Sequence, residues 1–176
     1  MRKLLFIGVI AVMASCSTLK VDYDNQADFT KYKTYAFSEE TLQLPVNQLN
    51  RDRVIRAVET EMAAKGFTKS DTPDVLIDLQ VSAKQETEAT ATNTGGGMYG
   101  GRYGFAGGYG GTTQITYNDY LVGSLFVNMV DLTSQKIVWQ GRASKTINED
   151  ASSSQRDTNI TNGVKKIFAQ YPPKKK

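Results

Sequence analysis

The chain has 176 residues, with 21 Lys+Arg, 18 Asp+Glu, one Cys and no His. That length suits one domain with short appendages, and a 40% hydrophobic, 22% charged composition fits a folded chain rather than a disordered one. Without histidine there is no Ser-His-Asp triad, no Cys-His dyad and no imidazole metal ligand.

Met1-Arg2-Lys3 opens the chain as a short basic head, and Leu4 to Val12 follow as an apolar run. Met13-Ala14-Ser15 then lead with small residues into Cys16, the only cysteine. This is the pattern of a secretory leader, too short to span a bilayer as a helix. Met13-Ala14-Ser15-Cys16 resembles a bacterial lipobox, which implies a leader over 1–15 and lipid on Cys16, in the 16–18 N-terminus. An ordinary leader cut elsewhere, leaving a free thiol, is the alternative. Two acyl chains anchor a protein stably where one does not. The expected localisation is the outer membrane, facing the periplasm, because Ser17 stands where Asp would retain a lipoprotein in the enterobacterial inner membrane. Of the basic residues, Arg2 and Lys3 leave with the leader, so the mature chain is near neutral. It carries no basic footprint for nucleic acid.

Leu19 to Tyr23 alternate apolar and polar, which predicts a half-buried strand, and Tyr32 to Phe37 predict a second. Residues 48–65 read as a helix with Ile55, Val58 and Met62 inward, Leu49 one turn earlier and Val54 beside them. Asn47 or Asn50 caps its start and Gly66 its end, with Phe67 closing the cap. After Pro73-Asp74, the run Val75 to Ser82 alternates cleanly and is a strand. Residues 84–94 turn polar and are expected to begin a long loop, 84–111.

The heart of that loop, 95–111, is glycine-rich and holds Tyr99, Tyr103, Phe105 and Tyr109. So many glycines raise the entropy cost of any fixed shape, and the run reads as a mobile hairpin insertion rather than a core element. The four aromatics are candidate partner-binding residues for lipid headgroups, peptidoglycan sugars or an envelope protein. A tolerated insertion without function is the alternative.

Thr112 to Tyr120 predict a strand, and 123–131 with 137–143 a hairpin turned through Asp131 and Ser134. Leu125, Val127 and Met129 share one face; Ile137, Trp139, Gly141 and Ala143 share the other arm's. A last helix spans about 154–170 with Ile160, Val164, Ile167 and Phe168 inward. Pro172-Pro173 stops it before the basic tail 173–176.

The order predicts an α+β fold: a two-layer, mostly antiparallel sheet packed on one face by two helices. The helices should cover Val75, Ile77, Leu79, Val81, Leu125, Val127, Met129 and Trp139. Leu76, Phe126, Val130 and Val138 should project from the opposite face, a candidate partner-binding patch. Asp74, Asp78, Asp131 and Glu149 are the candidate carboxylates for acid–base work. Their positions at a strand start, on a polar face and in turns favour structural roles. No nucleotide fingerprint or metal-loop pattern is present in the sequence, and no cofactor is expected.

Asp28-Phe29 with Tyr32-Lys33-Thr34-Tyr35, Ala64-Lys65-Gly66-Phe67, Pro73-Asp74-Val75-Leu76-Ile77, and Gly123-Ser124-Leu125 through Val138-Trp139-Gln140-Gly141 occur in an order and spacing. Together they resemble the domain-of-unknown-function 4136 family of bacterial envelope lipoproteins. The resemblance implies a lipid-anchored envelope protein and supplies no catalytic residues. Phe37 stands where the pattern usually has Trp. The functional expectation is a non-catalytic binding or scaffolding module, tethered to membrane through Cys16, with an envelope protein or peptidoglycan as partner. A hydrolase of envelope glycans or lipids using a carboxylate pair is the alternative. The sequence leaves the oligomeric state open.

Overall fold

A computed structural model describes residues 18–94 and 112–173. The leader, Cys16, the run 95–111 with Tyr99, Tyr103, Phe105 and Tyr109, and the tail 174–176 lie outside the described residues. The elements are β1 (Thr18–Tyr23), β2 (Thr34–Phe37), α1 (Glu39–Leu42), α2 (Gln48–Ala64), β3 (Thr68–Lys69), β4 (Val75–Thr94), β5 (Thr112–Asp131), β6 (Lys136–Thr146) and α3 (Ser153–Phe168). The strands form one sheet in the order β1-β6-β5-β4-β2-β3. The pairs from β1 to β4 are antiparallel, while β2 runs parallel to both β4 and β3. This is the expected mostly antiparallel α+β sheet.

One face of the sheet buries against α2 and α3. Val75, Ile77, Leu79, Val127, Met129 and Trp139 share a core with Val58, Met62, Val164, Ile167 and Phe168. Val81 and Leu125 pack at its edge. Each of these aliphatic side chains contributes about 1.5–3 kcal/mol when fully buried.

The helix ends follow from their cap residues. Asn47, not Asn50, caps α2, its side-chain oxygen accepting from Asn50 N. At the other end Gly66 takes φ +83°, Gly66 N donates to Ala63 O and Phe67 N to Met62 O. These two bonds make a Schellman cap, which a Cβ at the left-handed position would disfavour. Ser152 and Gln155 close α3's start as a capping box. The buried face of α2 is Val54, Ala57, Val58 and Met62, rotated from the expected stripe, so Leu49 is exposed.

Two expectations need correction. First, residues 84–94 are not loop: β4 continues to Thr94, and β5 runs unbroken from Thr112, so the expected separate strands 112–120 and 123–131 are one. Each residue of 84–94 has a partner in β5, from Lys84↔Val122 to Thr94↔Thr112. Second, Val138 does not project from the outer face. Met129 pairs with Trp139 and Val130 with Ile137, which leaves Val138 as the extra residue of a bulge. Val138 turns into the core, and Ile137 takes the outer position at 53% exposure.

Candidate functional site

Asp74 follows Pro73 and opens β4. Its Oδ2 accepts from the backbone N–H groups of Lys33 at 2.8 Å and Thr34 at 2.9 Å. Those bonds, Lys33's first, hold the carboxyl below its ordinary range. Asp131 ends β5 beside Asp74, since Val75 pairs with Asp131 and Leu132 N donates to Asp74 O. One oxygen of Asp131 accepts from Lys31 Nζ at 2.8 Å and Tyr32 Oη at 2.7 Å. The other accepts from Thr133 N and Ser134 N and builds the turn. Ser134 therefore serves the turn through its backbone, not its hydroxyl. The Lys31 ammonium, opposed by burial and joined by the Tyr32 hydroxyl and the two turn N–H groups, holds Asp131 far below its ordinary pKa. Burial and the Asp131 charge push Tyr32 up to about 12.

Asp78 lies on the outer face. Its carboxylate accepts from Ser38 Oγ, Gln80 Nε2 and Asn128 Nδ2. Asn128 Oδ1 in turn accepts from Gln140 Nε2 at 2.7 Å. Glu149 stands apart in the exposed loop before α3, where Arg156 Nη2 bonds its backbone oxygen rather than its carboxylate. The structure thus brings Asp74 and Asp131 together and leaves Asp78 and Glu149 separate. Three of the four carboxylates are occupied by donors that tie distant segments to one another. Among the described residues no three His, Cys, Asp or Glu side chains cluster as metal ligands.

On the outer face Leu76, Phe126 and Val130 are half-buried, with Ile137 beside Val130. The polar Asp78–Asn128–Gln140 ladder crosses between Leu76–Val130 and Phe126, since each pair two residues on lies one rung further along. The Arg142 guanidinium covers Phe126, 4.9 Å from the ring centroid, and donates to Ser124 Oγ and Ser144 Oγ. The patch is therefore divided rather than contiguous. Alternation alone did not reveal this, because the ladder forms only once Asp78, Asn128 and Gln140 from three strands fall into register.

The feature that sequence reasoning missed is that residues 84–94 and 112–122, on either side of the expected hairpin insertion, pair as a ribbon. β6 pairs with β5 only as far as Thr146↔Val122, and β1 ends its pairing at Thr18↔Ser144. On the other side β2 leaves β4 at Phe37↔Ile77, and Thr41 fills the next edge position by bonding Leu79 N and Ile77 O. Beyond these points, among the described residues, β4 and β5 run on alone as a two-stranded arm, about 35 Å long at roughly 3.4 Å per residue. One face shows Ala89, Ala91, Ile115 and Tyr117; the other shows Glu86, Glu88, Thr90, Thr116 and Asn118. Ile115 is 53% and Tyr117 67% exposed. At the arm's base a surface depression of ≈ 340 Å³ is bordered by Lys20, Glu86, Tyr120, Arg142 and Ser144.

Among the described residues no helix is long and apolar enough to cross a membrane. No curated protein matches the chain. Among solved structures, a PDZ domain protein from Parabacteroides distasonis superposes with a TM-score of 0.55 at 19% identity, over 91% of this chain and 37% of that one. This chain thus spans well under half the length of that relative, and the likeness is one of fold. The PelC dodecamer from Paraburkholderia phytofirmans matches with a TM-score of 0.43 at 10% identity, over 88% of this chain and 96% of that one. The model of the family described as a domain of unknown function (DUF4136) matches residues 19–173, all but the ends of the chain. The chain belongs to the DUF4136 family.

Proposed function

We propose that this protein is an envelope lipoprotein, tethered through Cys16, that acts as a non-catalytic binding or scaffolding module with the β4–β5 ribbon as its contact arm. The observation that carries the reading is the ribbon itself. A two-stranded hairpin is marginal in water without a third strand or a covering helix. Here some 35 Å of it stands clear of the helices, and its Ile115 and Tyr117 are more than half exposed. The body holds the root of the arm, and among the described residues nothing covers the arm's two faces and edges.

The tether fits this reading. Thr18 lies in the row Thr18–Ser144–Ser124–Ser82, at the end of the sheet from which the ribbon projects. Cys16 precedes Thr18 by two residues, a reach of at most about 7 Å. A lipid on Cys16 would hold the root of the arm close to the bilayer surface, where an envelope protein or the peptidoglycan would meet it.

The test is a shortened arm. Residues 87–119 are replaced by a two-residue Asn-Gly turn, closed by the hydrogen-bonded pair Glu86↔Tyr120, which keeps the body's pairing from there inward. Photocrosslinkers at exposed ribbon positions of the full chain in intact envelopes should capture a partner, while the shortened chain keeps its fold and membrane fraction and loses the phenotype. A shortened chain with full function would overturn the reading, as would an intact chain whose Cys16 carries no lipid.

A further inference from the structure

We propose that the free edge of β5 is a self-pairing surface, on which two copies of this chain join their ribbons antiparallel about a two-fold axis at Thr116. The inference deepens the reading of the ribbon as a contact arm and rests on it.

The edge has the right polarity. Ile147 N donates to Leu121 O, so Leu121 directs its backbone groups towards the side where β6 ends. Backbone direction alternates along a strand, and β5 pairs with β4 without a register shift from Asp131 to Thr112. Ile115, Tyr117 and Asp119 therefore also direct N–H and C=O to that open side. Two β5 edges brought together antiparallel exchange hydrogen bonds through these odd-numbered residues.

Side chains then select one register. With the axis at Thr116, Ile115 faces Tyr117 of the second copy and Tyr117 faces its Ile115. Both exposed apolar residues of the arm's edge strand are matched at once. Moving the axis to Tyr117 would set Ile115 against Asp119, and moving it to Ile115 would strand Tyr117 against a polar residue. On the other face the chosen register pairs Thr116 with Thr116 and Gln114 with Asn118, with no like charges opposite one another. Ala89 and Ala91, the β4 partners of Tyr117 and Ile115, extend the apolar strip across four strands.

Charge separates the two edges of the arm. β4 carries Lys84, Glu86 and Glu88, the kind of residues that keep an exposed edge unpaired. β5 from Thr112 to Leu121 carries only Asp119, whose carboxylate already accepts from Thr87 Oγ1 within the ribbon. The contact is isologous and closes on itself, so it yields a pair and not a fibre. It is smaller than a standard interface of about 1,200–2,000 Å². Two copies confined to one membrane surface gain the effective concentration that such a contact needs.

The test is disulfide capture in native membranes. Full-length chain carrying Thr116→Cys is oxidised mildly in the envelope and compared with the parent, whose only cysteine is Cys16. Thr116 is a non-hydrogen-bonded pair on the axis, where Cα atoms approach about 4.5 Å, within disulfide reach. A disulfide-linked dimer is expected for Thr116→Cys. Little is expected for Gln114→Cys or Asn118→Cys alone, and a dimer again when those two chains are co-expressed. Ile115→Lys should reduce capture by about tenfold, because two symmetric pairs are lost together. Ile115→Lys with Tyr117→Glu should restore it through two cross-copy ion pairs. Thermal unfolding of each variant should match the parent, since both residues are exposed.

Capture of Thr116→Cys no greater than the parent's, or equal capture at 114, 116 and 118, overturns the pairing. So does an arm whose Ile115→Lys variant loses binding to phosphatidylethanolamine–phosphatidylglycerol vesicles while Thr116→Cys stays monomeric. In those cases a photocrosslinked envelope partner would still support the contact arm. Loss of function on shortening the arm belongs to that reading alone, so the two can fail separately.

Discussion

The Tyr32 hydroxyl donates a 2.7 Å hydrogen bond to Asp131 Oδ2, joining residues 99 apart in sequence. The same oxygen takes Lys31, and the opposite one fixes the β5–β6 turn. One side chain, 5% exposed, thus ties the segment before β2 to the hairpin on the far side of β4.

Asp131→Asn should destabilise the fold by about 2–3 kcal/mol, since with its oxygen kept by Thr133 N and Ser134 N its amide NH2 would meet the Lys31 ammonium donor to donor. Lys31→Met should cost less than Asp131→Asn, because Lys31 is half exposed and its ion pair is screened by solvent. The native carboxyl titrates below its unfolded value of about 3.9. Its contribution is therefore complete above that range and drains away as pH falls through it towards the depressed native value. Urea unfolding between pH 6 and 2 should show a steeper acid loss for the parent than for Asp131→Asn.

Gly141 and Gly163 make opposite predictions. A Cβ on Gly141 would lie 2.4 Å from Ile167 Cγ2 and 2.8 Å from Trp139 Cη2, both in the packed core. Gly141→Ala should cost about 1–3 kcal/mol by overpacking. Gly163 sits within α3 with nothing within 4 Å of its added Cβ. Gly163→Ala should therefore stabilise by about 0.8–1 kcal/mol through helix propensity. Two denaturation midpoints moving in opposite directions are the check.

Thr41 is fully buried in a helix of four residues, and its Oγ1 accepts from Leu79 N at 2.8 Å and donates to Ile77 O. It takes the place of a neighbouring strand at the point where β2 ends. Thr41→Val keeps the shape and leaves the Leu79 N–H without its acceptor, a loss of about 1–3 kcal/mol. Thr41→Ser keeps the hydroxyl and removes one methyl, about 0.8 kcal/mol. A larger loss for Val than for Ser, read from unfolding curves, would show that the bond outweighs the methyl.

What the sequence made legible depends on contrast between faces. Val75 to Ser82 alternate because one face is buried, and the strand and its inward residues follow directly. Asn47 and Gly66 marked helix ends because backbone groups there demand particular side chains. Residues 84–94 carried no such contrast. Both faces of the ribbon are exposed, so Thr87, Thr90, Thr92 and Thr94 offered β-branching without alternation and read as a spacer. The Val138 bulge was hidden for another reason: strict two-residue alternation cannot show an extra residue until the partner strand is known. The Asp78–Asn128–Gln140 ladder likewise exists only across strands.

Tyr171 gives a prediction that composition alone would reverse. Its ring is 4% exposed and packs against Trp139 at 5.4 Å, Phe29 at 5.8 Å and Phe67 at 5.8 Å between centroids. Its backbone oxygen accepts from Lys65 Nζ at 2.6 Å, pinning the chain end to the end of α2. Yet among the described residues its hydroxyl has no hydrogen-bond partner. An unmet buried hydroxyl costs about 1–3 kcal/mol of desolvation. Tyr171→Phe should therefore leave stability unchanged or raise it by about 1 kcal/mol, whereas Tyr171→Ala should lose about 3–5 kcal/mol of packing. Burial, with a smaller push from Tyr32, raises the Tyr171 phenol well above its ordinary pKa. The native state thus favours the neutral phenol, and its advantage holds below the unfolded value near 10 and is lost as pH climbs beyond it. Tyr171→Phe removes that titration. Unfolding midpoints measured from pH 8 to 11 should accordingly fall less steeply for Tyr171→Phe than for the parent, and a Phe variant markedly less stable at neutral pH would mean that the hydroxyl is bonded after all.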